Sequence, residues 1–366
     1  MTDFTLSTLP APLLTRFLQL QTASAAALKA HRSKLSPTAV SIIEPTVSSA
    51  IWATDNYEEL GHGFSTTIAD TVAQKGQEAL ELIVPRKDKA KAIQKKRTKD
   101  KAEVFTPSWV CNLQNNLADD HSIREGAFNR TEDDGKSWIP SDGAVFENLE
   151  EAVGYITSPR LEITCGEAPY LVSRYDTVTG EDLPVRDGQS RFQRIGLLDR
   201  KLRVVAETAG SSWELWQLLA KEALKATYGY EWQGDSLLLA RLNLLNSYLD
   251  YRRDYLVSQG YEESSASEAE LLEVADIICW NIWQMDGLKM VLPLSCSDRC
   301  VRCDSSRLKE SHQKYYGHDG VVPLIRFRGD TIPFEDMVYY STGANGGQAV
   351  AARKEDKPSP LAGFFG

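Results

Sequence analysis

Apolar residues recur at helical spacing in four stretches of the chain. Near the N-terminus, five apolar residues fall on one side of a helix that we place at about residues 9–34. They are Leu13, Leu14, Phe17, Leu18 and Leu20. Residues 212–225, 236–249 and 271–279 have the same spacing, and the second of these stretches is apolar on all sides. The pattern predicts an amphipathic N-terminal helix and three helices in the second half of the chain.

Two other apolar stretches end in turns that lead into helical patterns. Residues 160–163 predict a strand, which is followed by the turn Thr164-Cys165-Gly166 and by a helical start at residues 170–172. Residues 226–231 repeat this order before the helix at 236–249. Such a unit lets backbone N–H groups face an anionic or polar ligand, and an acid at a strand end can accept both hydroxyls of a ribose. The alternation predicts an α/β fold.

Polar stretches separate these elements. Residues 116–158 are rich in loop-forming residues and predict a solvated excursion. The tail from residue 341 lacks periodicity, so we expect the tail to be disordered. Residues 174–203 form an insertion that is long for a connection between the first two strands of such a sheet. Its arginines can either follow a DNA backbone or pair with nearby acids, and we favour pairing. They are Arg174, Arg186, Arg191, Arg194 and Arg200.

The composition limits where the protein works and what it contacts. With 366 residues, of which 42% are hydrophobic and 25% charged, it fits an ordinary globular protein of about two domains. It has no apolar run of about 18 residues and no signal peptide, and its six cysteines suit a reducing compartment, so we expect a cytoplasmic protein without membrane contact. The net charge of −10 requires any DNA contact to come from a local patch.

Residues 86–101 form the one strongly basic run. Two interpretations stay open at this point. The run is either a solvated helix or linker, or an arm whose lysines and arginines neutralise phosphates.

Four short motifs follow one another in the order found in one enzyme family. They are Phe105-Thr106-Pro107, then Glu162 with Thr164-Cys165-Gly166 and Ala168, then Glu231 before the run LLLARLNLL, and finally Asp286. Together they resemble the motifs of the gamma-order S-adenosylmethionine-dependent N6-adenine DNA methyltransferases, in particular the modification (M) subunits of restriction systems. The resemblance covers about residues 96–334.

The resemblance implies a fold and a cofactor. The expected fold is a Rossmann-like class I methyltransferase sheet, complete or incomplete, that binds S-adenosylmethionine. The expected regions are a helical N-terminal extension at residues 1–85, a methyltransferase-like domain at 86–340 and a disordered tail at 341–366.

The resemblance also implies a role for each motif. Phe105, Thr106 and Pro107 would line the methionine end of the cofactor, with Thr106 as the N-cap of a helix whose first turn contains Pro107. Glu162, Cys165 and Gly166 would form the glycine motif, in which Glu162 replaces the usual aspartate and Ala168 the last glycine. Glu231 would bind the ribose, and Asp286 would bind the exocyclic amine of the adenine.

The motif that carries the family's reaction is missing or degenerate. The family uses Asn/Asp/Ser-Pro-Pro-aromatic to hold a flipped adenine, but no two prolines are adjacent in this chain. Thr331-Ile332-Pro333-Phe334 keeps only the last proline and the aromatic ring, so Phe334 is the candidate for stacking on the base. The leading expectation is an S-adenosylmethionine-dependent adenine-N6 DNA methyltransferase, either complete or as half of a split enzyme that a second subunit completes. The alternative is a catalytically inactive DNA-binding or scaffolding subunit.

A cysteine cluster predicts a metal site near the C-terminus. Cys296, Cys300 and Cys303 have a spacing that lets a tight turn aim thiolates at one ion. His312 is the preferred fourth ligand and His318 the second choice, which would make a structural zinc site in a zinc-ribbon-like insertion at residues 294–320. The alternative is three unpaired cysteines in a polar loop.

The last residues of the chain suggest a further contact. Leu361, Phe364 and Phe365 resemble the short peptides that dock on DNA sliding clamps, although Pro358 stands where those peptides usually have glutamine.

Overall fold

The structure is a computed structural model that describes residues 3–24, 46–58, 61, 63, 65–89, 91, 94, 99, 105–119, 123–262, 264–287, 291–295, 321–327 and 330–333. The chain divides into a first unit, Met1–Leu20 with Ser48–Gly287, and a second unit, Gln21–Val47 with Leu288–Gly366. Within the described ranges no helix is both long enough and apolar enough to cross a membrane. The regions expected at 1–85, 86–340 and 341–366 stay a prediction.

The described part of the chain contains nine α-helices and two short 3-10 helices. The α-helices are α1 (Ala11–Leu18), α2 (Ile68–Lys75), α3 (Glu78–Glu81), α4 (Ser108–Asp119), α5 (Leu149–Thr157), α6 (Leu197–Ala209), α7 (Trp213–Lys225), α8 (Gly234–Ser258) and α9 (Glu268–Asn281). The 3-10 helices are Leu6–Thr8 and Arg86–Asp88.

The strands belong to three small sheets. They are β1 (Gln19–Ser24), β2 (Thr46–Ser49), β3 (Asn129–Thr131), β4 (Trp138–Pro140), β5 (Arg160–Ile163), β6 (Thr227–Glu231), β7 (Ile282–Gln284), β8 (Val321–Phe327) and β9 (Asp330–Pro333). One sheet has the order β2-β1-β8-β9, in which β8 pairs antiparallel with both β1 and β9. The hairpin β3-β4 is the second sheet.

The third sheet is parallel, has the order β5-β6-β7 and lies at the centre of the first unit. Every residue of the middle strand β6 is buried. Helices α6 and α7 lie between β5 and β6 in the chain, and α8 and α9 lie between β6 and β7. Parallel neighbours need such crossover connections, which are usually helical. This arrangement confirms the predicted α/β fold, whereas a Rossmann-like methyltransferase sheet stays a prediction.

The three helices predicted in the second half of the chain are all present as α7, α8 and α9. The Ser212 hydroxyl caps α7 by accepting a hydrogen bond from the Leu215 N–H at 3.2 Å. Helix α8 is longer than predicted and is buried along most of its length. A helix with apolar residues on all sides belongs in the interior of a domain.

The prediction of one N-terminal helix over residues 9–34 is wrong in its extent. Helix α1 ends at Leu18, and the chain continues directly as β1. From Gln19 to Thr22 half-buried and buried residues alternate with a period of two, which suits a strand. Leu20 therefore belongs to β1 rather than to the amphipathic face of the helix. Residues 25–45 lie outside the described part of the chain.

The stretch at 116–158 is more regular than its loop-forming composition predicts. It contains the end of α4, the hairpin β3-β4 and helix α5. Asn148 caps α5, because its side-chain oxygen accepts a hydrogen bond from the Glu151 N–H at 2.8 Å. The prediction of a solvated excursion is thus wrong for residues 149–157.

The arginines of the insertion pair with acids, as predicted. Arg174 and Arg194 both bind the carboxylate of Asp250, at 3.2 and 2.8 Å, and Arg186 binds Asp254 at 2.8 Å. Asp250 and Asp254 lie one turn apart on α8, so this helix holds the insertion. Two further pairs are Arg191 with Asp187 and Arg200 with Asp119, both at 2.8 Å.

Candidate functional site

Three buried acids lie at the carboxyl ends of the three parallel strands. Glu162 is next to last in β5, Glu231 is the last residue of β6, and Asp286 follows β7 by two residues. Their exposed fractions are 8%, 6% and 9%. The carboxyl ends of neighbouring parallel strands form one edge of a sheet, where α/β proteins bind their ligands. The fold thus brings three residues predicted from separate motifs to one edge.

The turn after β5 has an unusual backbone conformation. Thr164, Gly166 and Ala168 have φ angles of +53°, +54° and +67°, in the left-handed region that favours glycine. The Cys165 N–H donates to the Tyr230 carbonyl at 2.8 Å, and the Gly166 N–H donates to Glu231 Oε2 at 2.8 Å. The turn is therefore tied to the middle strand and to its terminal acid.

Gly166 also leaves space at the turn. A Cβ atom at this position would find no heavy atom of the protein within 4 Å. The backbone of the turn is thus open to an incoming group on that side.

Glu231 and Glu162 differ in the hydrogen bonds that their carboxylate oxygens accept. Glu231 Oε1 accepts a hydrogen bond from the Gln233 N–H at 3.1 Å, so each of its oxygens already has one backbone donor. Glu162 Oε1 accepts a long hydrogen bond from the Tyr170 N–H at 3.4 Å, and Glu162 Oε2 is buried and accepts none. Burial raises the pKa of Glu162 well above its ordinary value, and it raises the pKa of Glu231.

Cys165 has a packing role in this arrangement. Its side chain is buried, and its Sγ would lie 3.2 Å from a Cβ atom placed on Gly229 of β6. Burial raises the pKa of the Cys165 thiol, and the charge of Glu162 acts in the same direction. A neutral thiol that fills space behind the turn is not an activated nucleophile.

The Phe105-Thr106-Pro107 motif leads directly into α4. The Pro107 carbonyl accepts the first helical hydrogen bond, from the Cys111 N–H at 3.2 Å, so Pro107 rather than Thr106 is the N-cap. The expected capping role of Thr106 is therefore wrong by one position. The insertion satisfies the helix start instead, because Asp176 Oδ2 accepts a hydrogen bond from the Ser108 N–H at 2.6 Å.

Helix α4 lies against the segment that follows the glycine turn. Tyr170 donates from its hydroxyl to Gln114 Oε1 at 2.6 Å, and the Asn115 side-chain amide donates to the Tyr170 carbonyl at 3.1 Å. Burial raises the pKa of the Cys111 thiol, and the charge of Glu162 adds to this effect. These hydrogen bonds hold the second half of α4 against the segment that follows β5.

The first residues of the basic run also pack on the turn. The Arg86 N–H donates to Glu167 Oε1 at 2.7 Å, and the Arg86 guanidinium carbon lies 4.3 Å from the centroid of the Phe105 ring. Lys87 forms an ion pair with Asp182 at 2.5 Å, and the buried Lys89 lies 3.9 Å from Asp235. Arg86 and Lys89 are thus packed against the protein, whereas Lys87 pairs at the surface and Asp88 is exposed. The two interpretations of the basic run stay open.

Two polar residues of α8 that the sequence analysis did not assign support the site. Arg241 is fully buried and donates to the carbonyl oxygens of Phe17, Gln19, Cys279 and Ile282. The Asn243 amide donates to the Glu167 carbonyl at 2.9 Å and to the Tyr175 hydroxyl at 3.0 Å. The signal for both was present in the sequence, since they interrupt the apolar run LLLARLNLL.

Gln284 was missed as well. Its side-chain amide pairs with both backbone groups of Ile51, at 2.9 and 2.8 Å, as a neighbouring strand would. Trp52 and Ala53, which follow Ile51 in the chain, contact the residues that connect β6 to α8. The Trp52 carbonyl accepts a hydrogen bond from the Gly234 N–H at 3.1 Å, and the Ala53 carbonyl accepts one from the Trp232 indole at 2.7 Å. Residues 51–53 thereby form a wall beside Glu231.

Several predicted residues lie outside the described part of the chain. These are the base-stacking candidate Phe334, the zinc ligands Cys296, Cys300, Cys303 and His312, and the clamp-binding residues Leu361, Phe364 and Phe365. Within the described ranges, no group of three or more histidine, cysteine, aspartate or glutamate residues is arranged to hold a metal ion. The zinc site and the clamp contact stay predictions.

Comparisons with protein-family models, with curated proteins and with solved structures find no match for this chain. The case for a function therefore rests on the acids, the glycine turn and the start of α4.

Proposed function

We propose that the first unit binds S-adenosylmethionine and that the protein is an adenine-N6 DNA methyltransferase of the restriction-modification M-subunit type. One observation carries this proposal. Acids lie at the ends of three successive parallel strands, and the glycine turn after β5 donates a hydrogen bond from Gly166 to the middle acid, Glu231.

The chemistry of these residues fits the cofactor. S-adenosylmethionine presents ribose hydroxyls, an exocyclic amine, an ammonium and a sulfonium, which are donors or cations and suit carboxylates. An ionised carboxylate has about four acceptor sites, so Glu231 can accept further hydrogen bonds beyond its two backbone donors. Glu162 Oε2 is buried and has no donor, and the open side of Gly166 gives access to the turn.

Two of the acids and one aromatic residue then have roles in holding the cofactor. Glu231 would bind the ribose hydroxyls, Asp286 the exocyclic amine and Phe105 the methionine end. When bound, the cofactor supplies an activated methyl group. The choice of adenine in DNA as the acceptor, with Phe334 stacking on the flipped base, comes from the family resemblance.

A second candidate function is favoured by one feature of the sequence. No two prolines are adjacent, so the family's adenine-holding motif is not intact in this chain. The protein would then keep a cofactor-type fold and serve as a DNA-binding or scaffolding subunit, or it would be completed by a second subunit that supplies the motif.

Calorimetric titration with S-adenosylmethionine tests the cofactor site. We expect a single site that Glu231→Ala weakens at least tenfold, or about 1.4 kcal/mol. Glu273→Ala is the matched control, because Glu273 is exposed on α9 and pairs with Lys221 at the surface. A folded wild-type protein that does not bind the cofactor would overturn the proposal.

Transfer of a labelled methyl group to duplex DNA separates the two candidates. Transfer to adenine by the protein alone supports the methyltransferase. Cofactor binding without transfer supports the second candidate, and transfer restored by a second chain with an intact motif identifies a split enzyme.

A further inference from the structure

Glu162 is buried at the end of β5 without a partner that could neutralise its charge. The residue is 8% exposed, its Oε1 accepts the long hydrogen bond from the Tyr170 N–H at 3.4 Å, and its Oε2 accepts none. In the described part of the chain no cation pairs with this carboxylate. Burial raises the pKa of Glu162 well above its ordinary value, although the N–H groups of Tyr170 and Leu171 act in the opposite direction. Glu162 therefore keeps its proton while it stays buried.

The groups that face Glu162 from the neighbouring elements do not favour its anion. Glu231, at the end of β6, acts on the pKa of Glu162 in the same direction as burial. Cys111 on α4, Cys165 in the turn and Tyr170 behind the turn also lie within range of the Glu162 charge. Burial raises the pKa of each of these three groups, so they stay neutral at physiological pH. An ionised Glu162 can therefore be stabilised only by water, which the closed turn keeps out.

The turn that follows Glu162 combines backbone strain with hydrogen bonds that restrain it. Thr164 and Ala168 have φ angles of +53° and +67°, which residues other than glycine rarely adopt. Hydrogen bonds to β6 oppose this strain, because the Cys165 N–H binds a backbone carbonyl and the Gly166 N–H binds Glu231, both at 2.8 Å. Opening of the turn relieves the strain and breaks few bonds, so it needs less free energy than unfolding of the first unit.

We propose that residues 164–170 form a pH-sensitive switch, which stays closed against β6 while Glu162 carries its proton and opens when Glu162 loses it. Opening lets water reach the Glu162 carboxylate. It also removes the Gly166 donor from Glu231 and uncovers the buried Cys165 thiol. The switch goes beyond the proposed function, since it is a property of the fold and requires no ligand.

The direction of the pH dependence follows from the two states of Glu162. In the open turn the carboxyl is solvated and its pKa is near the ordinary value of about 4.3, whereas burial raises the pKa in the closed turn. The closed turn is therefore favoured most below about pH 4.3. Above it, the fraction of open turn rises by up to tenfold for each pH unit, until the pH passes the raised pKa. The acid edge of the parallel sheet is thus more open at alkaline than at acidic pH.

Hydrogen exchange followed by mass spectrometry, on the full-length protein between about pH 5 and pH 8, tests the switch. Each rate is divided by that of an unstructured peptide at the same pH, which removes the intrinsic pH dependence. In the wild type the protection of the amides of residues 165–172 should fall at least tenfold over this range. Glu162→Gln has no proton to lose, so its turn should keep the same protection. Glu273→Gln is the matched control, because Glu273 is exposed on α9, and it should behave as the wild type.

Amides of the buried helix α8 report the unfolding of the whole first unit and provide the reference. At each pH the amides of the turn should exchange at least tenfold faster than these. Equal protection of the two regions would show that Glu162 loses its proton only on global unfolding, and it would overturn the switch. Protection of the turn that does not change with pH, or that falls equally in Glu162→Gln, overturns it as well.

Labelling of Cys165 keeps the proposal testable if Glu162→Gln does not fold. In the wild type, N-ethylmaleimide should label Cys165 at least tenfold faster than Cys279, which is buried in α9. Relative to the unfolded protein at the same pH, the labelling of Cys165 should accelerate at least tenfold between about pH 5 and pH 8. Equal rates for the two cysteines, or a relative rate that does not rise with pH, would contradict the switch.

Discussion

Thr164 adopts a left-handed backbone conformation, with φ +53°, immediately after β5. For a residue other than glycine this conformation costs roughly 1–2 kcal/mol, and a β-branched side chain is especially uncommon there. The residue is exposed, so its side chain gains little from packing. The turn beside the acids is therefore held in a strained form by its hydrogen bonds to β6, which is a common property of ligand-binding turns.

We expect Thr164→Gly to raise the free energy of unfolding by about 1 kcal/mol, because glycine adopts positive φ without strain. Urea denaturation measures the change. Thr164→Val is the control, since it keeps the branched Cβ and therefore the strain, and it should give no gain. A glycine variant that is no more stable than the wild type would contradict the strained conformation.

The buried acids make stability depend on pH. Because burial raises the pKa of Glu162 above that of the unfolded chain, the folded state holds the proton to a higher pH than the unfolded state does. The free energy of unfolding therefore falls as the pH rises from the unfolded pKa, about 4.3, through the folded one.

Glu162→Gln should remove this contribution. We expect the variant to be more stable than the wild type at pH 8, by about 1.4 kcal/mol for each unit of pKa shift, and the difference should shrink towards pH 4. Urea denaturation at several pH values measures it. A difference that is the same at every pH would show that Glu162 does not titrate in this way.

At the scale of single residues, the sequence predicts a residue's position correctly where its immediate neighbours in the chain determine that position. Glu162, Gly166 and Glu231 stand at strand ends or in a turn, and their immediate neighbours predict this position. The role of Arg241 could not be predicted in this way, because its carbonyl partner at Phe17 is 224 residues away in the chain. A buried arginine that binds backbone carbonyls leaves no complementary charge in the sequence to identify its partners.

At the scale of elements, one lysine joins the ends of two helices. Lys201 on α6 is fully buried, and its Nζ donates to the Ser158 carbonyl at 2.5 Å and to the Ala226 carbonyl at 3.0 Å. These carbonyls directly follow α5 and α7. The ammonium therefore satisfies acceptors at two helix C-termini, where a cation also suits the helix dipoles.

Lys201→Met should lower the free energy of unfolding by about 2 kcal/mol, since it keeps the length of the side chain but removes the side-chain donor of the Ser158 carbonyl and leaves the Ala226 carbonyl with the Arg160 N–H alone. Chemical denaturation measures the loss. Lys225→Met, at the half-exposed end of α7, should change stability by less than about 0.5 kcal/mol. Equal effects of the two substitutions would rule out the capping role.

The helices and strands were predicted best where one period dominates. β5 and helices α7 to α9 follow apolar patterns that continue over most of their length. Helix α1 was extended too far because the apolar residue Leu20 also fits the helical spacing, while pairing with β8 decides for a strand. Helix α5 was missed although Asn148 and Glu151 have the spacing of an N-cap, because the surrounding loop-forming residues dominated the interpretation.

At the scale of the whole molecule, the net charge of −10 and the pairing of the insertion's arginines with acids both disfavour binding of DNA by the insertion. The arginines that could have followed a DNA backbone hold the insertion to α8 and α4 instead. Any contact with DNA must therefore come from other parts of the protein or from a partner.

We expect Arg186→Gln to leave the affinity for a random-sequence duplex unchanged within twofold at any salt concentration. An arginine that contacts a phosphate would weaken this binding and reduce its salt dependence when it is replaced. Fluorescence anisotropy at low and moderate salt measures both quantities. A tenfold loss of affinity would show that Arg186 leaves Asp254 to contact DNA.

The buried guanidinium of Arg241 has a consequence for how the first unit opens. It donates to carbonyls at the end of α1, at the end of α9 and at the start of β7. None of these segments can separate from the others without leaving a desolvated charge with fewer acceptors. Backbone amides at the ends of α1 and α9, more than 200 residues apart in the chain, should therefore exchange their hydrogens in one cooperative event rather than independently.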